Sequence, residues 1–182
     1  MDDLRRRPVV VWLTGLPSAG KTTVGSLIVR RLRARDVPVL WLDSDDMRTV
    51  MTPTPTFSER ERDQFYYALG HVAVRAVEGG ASVLVSATAS KRVYRENVRV
   101  RVPRFVEVWL TCERKTLCAR DAKGLYRKAK EGVISTLPGE GVPYEVPRAP
   151  ELTLDTDACS AEESADRVMR YLESLGVAGD DG

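Results

Sequence analysis

The chain has 182 residues, 43% hydrophobic and 30% charged, a balance that suits one compact globular domain and excludes a disordered tail, a collagen-like repeat or a coiled coil. Its 28 Lys and Arg against 26 Asp and Glu leave a net charge of only +2, too little for the global field that drives non-specific nucleic-acid binding, so no nucleic-acid partner is expected. Three cysteines without paired spacing and one histidine argue against a disulfide scaffold or a structural zinc site, and Cys112 and Cys118 are expected to be buried thiols.

Residues 1–7 are charged and read as a frayed end. The apolar run that follows, Pro8 to Thr14, is too short to span a bilayer and leads into Gly15 without a small-residue cleavage site, so a cytoplasmic protein with no membrane partner is expected. Within it, Val9 to Leu13 is continuous and rich in β-branched residues, the pattern of a strand buried on both faces of a parallel sheet. Val24, Leu27, Ile28 and Leu32 then mark one face of a helix. Further strand-like runs fall at Val39–Leu42, Val83–Val85, Val106–Leu110 and Leu152–Leu154. Between the second and third, a connector with two prolines, 51–56, precedes a helix with Phe65, Leu69, Val72 and Ala76 in phase. Ser58 with Glu61, and Ser160 with Glu163, have capping-box spacing at the starts of that helix and of the last one, which carries Ala165, Val168, Met169, Leu172 and Leu175.

Strand and helix alternate, so the fold class is α/β: three layers, with a parallel sheet of about five strands flanked by helices. One domain, 1–182, is expected, with a second frayed end at 177–182. Residues 123–150 carry prolines and four glycines and fit neither period; they read as a lid over a site.

Gly15-Leu16-Pro17-Ser18-Ala19-Gly20-Lys21-Thr22 is G-x-x-x-x-G-K-T, set between the first strand and the first helix. In that context backbone N–H groups and a helix N-terminus wrap phosphate oxygens, the lysine neutralises phosphate charge, and the threonine hydroxyl ligates Mg²⁺. ATP is the expected nucleotide and Mg²⁺ the expected metal; Gly15, Ser18, Ala19, Gly20, Lys21, Thr22 and Thr23 would hold the phosphates. The third strand run ends in Ser86, where motor and transporter ATPases usually place a carboxylate, and the guanine-reading N-K-x-D is absent. Instead Asp43-Ser44-Asp45-Asp46 closes the second strand. Carboxylates there emerge at the edge of the sheet beside the phosphate loop, where a metal and an acceptor hydroxyl must meet. The layout favours a small-molecule kinase, with Thr22 and Asp43 at the metal.

Taken with the phosphate loop, Leu42-Asp43-Ser44-Asp45 followed by Arg48, Ser86 to Arg92, Arg120 to Tyr126 and Pro143-Tyr144-Glu145, the chain resembles the adenylylsulfate (APS) kinases from about Val9 to Thr156. The resemblance implies a P-loop fold of the nucleoside-monophosphate-kinase kind. It also implies phosphorylation of the APS 3′-hydroxyl by Mg-ATP, and often a homodimer. Position by position, it implies that Asp43 attends the acceptor hydroxyl and metal, with Asp45 as its second aspartate. Arg48 and Arg62 would grip the phosphosulfate and Phe57 would stack on the acceptor adenine. Ser86 and Arg92 belong to the third-strand segment, Arg120 lies against the donor adenine, and Lys123 opens the lid. Lys21, Asp43, Asp45 and Lys123 are the catalytic candidates.

Three positions depart from that pattern: Phe65 stands where the family has Asn, Leu137 where it has a lid Phe, and Ser44 where it has Gly. Phe65 is also in phase with the apolar stripe of its helix, so core packing is the competing account of that position. The altered side is the acceptor side, which leaves two alternatives beside APS. One is a related kinase of another nucleotide or specialised-metabolite hydroxyl; the other is an ATP-binding protein without transfer.

Overall fold

The structure, a computed structural model, describes residues 8–177. The expected frayed segments 1–7 and 178–182 lie outside the described residues. Val177 does not belong with them, being 7% exposed and packed into the core.

Five strands, β1 (Val10–Thr14), β2 (Val39–Asp43), β3 (Ser82–Ser86), β4 (Phe105–Thr111) and β5 (Leu152–Asp155), form one parallel sheet in the order β2-β3-β1-β4-β5. Each overlaps a run expected from sequence. Parallel neighbours require crossovers, which are supplied by α1 (Lys21–Ala34), α2 (Ser44–Met51), α3 (Glu59–Glu78), α4 (Arg92–Arg99), α5 (Arg114–Ala119) and α6 (Leu125–Lys130); α7 (Ala161–Ser174) closes the chain. The sequence pattern had indicated only α1, α3 and α7.

The centre of the sheet explains its continuous apolar runs. β1 and β3 are buried at every position, because helices cover both faces. Alternation then divides β1 and the residue before it between two cores: Val9, Val11 and Leu13 pack with Ile28 of α1 and Leu172 of α7, whereas Val10 and Trp12 pack with Phe65 and Leu69 of α3 and Val98 of α4. The sheet is the middle of three layers. Gly25 lets α1 lie close against it, since a Cβ there would stand 2.6 Å from Ser86 Oγ.

Of the two expected capping boxes, only Ser160 with Glu163 is complete. Ser58 does accept from the Glu61 amide, but the Glu61 carboxylate turns back to the amides of Thr56 and Phe57. The cysteine expectation is corrected too: Cys118 is exposed and Cys112 half-buried, because both lie where β4 leaves the sheet and the short α5 follows it.

A charged cluster fastens α4 to β4. Arg95, 1% exposed, donates to Glu107 Oε1 at 2.6 Å; Arg99 reaches Glu107 Oε2 at 3.3 Å and Glu151 Oε1 at 2.5 Å. Residues 121–150 include the expected lid, 123–150. They contain α6 and then an irregular stretch closed by a bridge between Pro138 and Val142, with Tyr126 and Leu137 buried in the α1-side core.

Candidate active site

The carboxyl ends of three adjacent strands converge: Gly15 follows β1, Asp43 ends β2 and Ser86 ends β3, with Asp43 opposite Ser86 in register. Open α/β sheets bind ligands at that rim.

Gly15 has φ 152°, and a Cβ there would lie 2.5 Å from the Leu110 carbonyl oxygen, so only glycine lets the loop leave β1 in this direction. The loop re-enters helix through Gly20, which caps α1 without any side-chain bond. The first amides of α1, those of Lys21, Thr22 and Thr23, therefore have no intrahelical acceptor and form the positive end of a 14-residue helix, a ready anion site. Ala19 lies beneath, its amide donating to the Leu16 carbonyl at 3.2 Å. A cleft of about 550 Å³ opens over this loop, walled by Ser18, Gly20, Lys21 and Thr22 on one side and by Arg120 and Lys123 on the other.

Lys21 donates to the loop's own carbonyls, Gly15 at 3.0 Å and Leu16 at 2.8 Å. Burial pushes its ammonium pKa down to about 8; Asp45 and Asp43 oppose that shift, and Lys123 adds to it. Asp43 uses both carboxylate oxygens: Oδ1 accepts from the Asp45 amide at 2.9 Å, capping α2, and Oδ2 accepts from the Thr22 hydroxyl at 2.7 Å. One side chain thus caps α2 and touches the phosphate loop. Lys123 reaches across the cleft to Asp45 at 2.5 Å. Ser86 is held in the wall by the Trp41 indole N–H at 3.0 Å. Arg120 donates to the Thr156 hydroxyl at 3.1 Å and to the Thr156 carbonyl at 2.8 Å, which lays it along the end of the cleft farthest from Asp43's strand, beside β5.

Arg48, Phe57, Arg62 and Phe65 form a second group, beyond α2. The Arg48 guanidinium sits 3.9 Å from the Phe65 ring centroid and 5.2 Å from that of Phe57. Arg62 donates to the Phe57 carbonyl at 2.9 Å and to the Thr136 carbonyl of the 121–150 segment. Phe65 is 2% exposed and belongs to the α3-side core, in agreement with its helical phase. Of the expected acceptor-side residues, Asp45, Ser86 and Lys123 line the cleft, whereas Arg48, Phe57, Arg62 and Phe65 lie in this second group and Leu137 and Arg92 belong to neither. Leu137 is 4% exposed and turned into the α1-side core, since the segment folds down onto Leu16 and Tyr126. Arg92 is taken up by Glu145 and the Val146 carbonyl at the start of α4.

Sequence reasoning missed Asp121, whose carboxylate accepts from the amides of Leu125, Tyr126 and Arg127 and so anchors the turn bearing Lys123. An Asp three residues before a glycine that opens a helix was the available signal. It missed Thr156 as well, for which there was no local signal.

Comparison with known proteins decides the family. Residues 7–155 match the model of the family described as adenylylsulphate kinase. The chain belongs to this family. An adenylyl-sulfate kinase of Gloeothece citriformis is 38% identical over 173 residues, covering 95% of this chain and 98% of its own length. The Sorangium cellulosum protein named "Probable bifunctional SAT/APS kinase 2" is 41% identical over 167 residues, and the chain spans 29% of that longer protein. Among solved structures, the Mycobacterium tuberculosis APS kinase CysC in complex with AMPPNP and APS superposes with TM-score 0.85 at 33% identity, over 92% of this chain and 98% of that one. The five-stranded parallel sheet and the phosphate loop are thus those of an adenylylsulphate kinase. Among the described residues, no helix is long and apolar enough to cross a membrane.

Proposed function

We propose that this chain transfers the γ-phosphoryl group of ATP to the 3′-hydroxyl of APS, giving 3′-phospho-APS and ADP. The observation that carries the reading is the 2.7 Å contact between Thr22 and Asp43, which joins the phosphate loop to the strand end that would receive an acceptor, in a chain of this family.

In this reading the amides at the start of α1 and the Lys21 ammonium hold the β- and γ-phosphates. Lys21 gives up its two loop carbonyls for phosphate oxygens. Thr22 and Asp43 present two hard oxygen donors side by side, a set that suits Mg²⁺, which when bound there would neutralise charge on the transferred group. Asp43 takes the proton from the acceptor hydroxyl as the O–P bond forms and the bond to the ADP oxygen breaks. Lys123, released from Asp45, supplies a second cation to a loose transition state whose charge lies on the phosphoryl oxygens. Arg120 lines the donor base. Arg48 and Arg62, fork-shaped cations beside Phe57, receive the phosphosulfate, Arg62 exchanging its carbonyl partners for it, and Phe57 lies against the adenine. Phe65 supports the Arg48 guanidinium from below.

An acceptor panel tests the reading: ADP release is measured with ATP, Mg²⁺ and, in turn, APS, AMP and a set of small alcohols. Release that depends on APS supports it; release with another acceptor and none with APS replaces it with a related kinase. The homodimer implied by the resemblance is part of the same reading and is checked by light scattering.

A further inference from the structure

The turn between β3 and α4 is held in an unusual form. Ala89 has φ 43°, a conformation that L side chains rarely adopt, although the residue is fully buried and needs no flexibility. Three successive carbonyls of this turn are each captured by a different part of the scaffold. Thr88 O accepts from the Thr14 hydroxyl at 2.8 Å, Ala89 O accepts from Arg95 Nη1, and Ser90 O accepts from the Glu145 amide at 2.8 Å. The Ala87 amide is fixed to the Leu13 carbonyl at 3.1 Å. Thr88, within this turn, and Ser86, at the end of β3, line the cleft.

Thr14 is also 3.0 Å from the Tyr144 hydroxyl. A carbonyl cannot donate, so the single Thr14 proton is committed to Thr88, and the proton in the second contact comes from Tyr144. The order is therefore Tyr144 O–H to Thr14 O–H to Thr88 C=O. Burial raises the Tyr144 pKa above its ordinary value, which keeps that hydroxyl a donor. Tyr144 is itself fixed by its neighbour: the Glu145 carboxylate accepts from the Arg92 amide at 2.8 Å, and the Glu145 carbonyl accepts from Arg95 Nη2 at 2.8 Å. A trans peptide directs its N–H opposite to its C=O, so pinning the Thr88 carbonyl on Thr14 turns the Ala89 amide away from β1.

We propose that Tyr144 is a positioning residue for the acceptor: through Thr14 it holds the strained β3–α4 turn in the form that walls the cleft between the phosphate loop and Asp43. The inference rests on the kinase reading above for its kinetic consequence, but not for its structural one.

The test compares Tyr144→Phe, Thr14→Val, Thr14→Ser and the double variant Tyr144→Phe with Thr14→Val. Steady-state kinetics with APS, calorimetric ATP affinity, melting temperature and amide exchange over residues 87–91 in the ATP-bound protein are measured for each. Tyr144→Phe and Thr14→Val should each lower kcat/KM for APS about tenfold, the size of one lost hydrogen bond, with ATP affinity within about twofold. Exchange over 87–91 should quicken in both. Thr14→Ser should restore wild-type behaviour, and the double variant should be no worse than Thr14→Val, because the two act in series. Wild-type kinetics and exchange in Tyr144→Phe would overturn the proposal. So would losses that multiply in the double variant, or an equal fall in ATP affinity and melting temperature, which would mean packing alone. If the wild-type protein uses no APS, the kinase reading fails separately, and unchanged exchange in Tyr144→Phe would still refute the positioning role.

Discussion

Lys21 carries a charge that its burial in the phosphate loop disfavours. Its pKa of about 8 lies below the ordinary 10.5, so between those pH values the unfolded chain holds a proton that the folded chain has lost. This group's contribution to stability therefore rises with pH through that window. Phosphate oxygens in place of loop carbonyls favour the charged form, so ATP binding should draw in about half a proton at pH 8 and more above it. Calorimetry in two buffers of different ionisation heat reads this directly; uptake of zero at pH 8.5 would contradict the role given to Lys21. Asp43 permits a cleaner separation. Asn is as good an N-cap as Asp, so Asp43→Asn should keep α2 and the melting temperature while kcat falls by about 10² or more, a typical size for a positioned acid–base group. Asp43→Ala should lose that activity and about 1 kcal/mol of stability as well, because the cap goes with it. A stable but fully active Asp43→Asn protein would remove Asp43 from the chemistry.

At the scale of elements, legibility in the sequence followed length and apolar phase. β1 and β3 were visible because both of their faces are covered, and α1, α3 and α7 because each shows an apolar stripe over 14 residues or more. α2 and α4 are only eight residues each, too short for an apolar stripe to repeat; α2 buries no residue at all, and α4 turns Arg95 into the core beside Tyr94 and Val98. The site divided in the same way. The phosphate loop and Asp43 are set by local chemistry between a strand and a helix, and could be read; whether Leu137 or Arg92 turns to the cleft depends on how residues 121–150 fold back, which no local pattern encodes. The buried charge on α4 makes its own prediction. Removing Glu107 leaves the Arg95 charge, at 1% exposure, with carbonyl acceptors but no carboxylate in contact, and breaking such a pair from one side costs about 3 kcal/mol or more. Urea unfolding of Glu107→Leu should show that loss, and adding Arg95→Met should recover part of it; an unchanged midpoint in Glu107→Leu would mean that the cluster carries no net stability.

For the molecule as a whole, strand order does most of the work. Placing β1 between β3 and β4, with β2 outside β3, brings three loops far apart in sequence to one rim: the phosphate loop, the Asp43 cap and the turn after Ser86. The segment 121–150 then crosses that rim, with Lys123 on Asp45 at one side and Tyr144 on Thr14 at the other. The sheet thus positions the phosphate loop, the Asp43 carboxylate and the turn after Ser86 on one rim, and in the proposed reaction it is the two lysines that exchange partners. The most direct measurement of this account follows the terminal phosphate itself. ATP labelled at the γ-phosphorus is incubated with Mg²⁺, APS and either the wild-type or the Asp43→Asn protein, and the label is located by chromatography. The account predicts label in 3′-phospho-APS with the wild type, and about 10² less with the variant. Label found only in inorganic phosphate, or transferred to APS equally by both proteins, would contradict it.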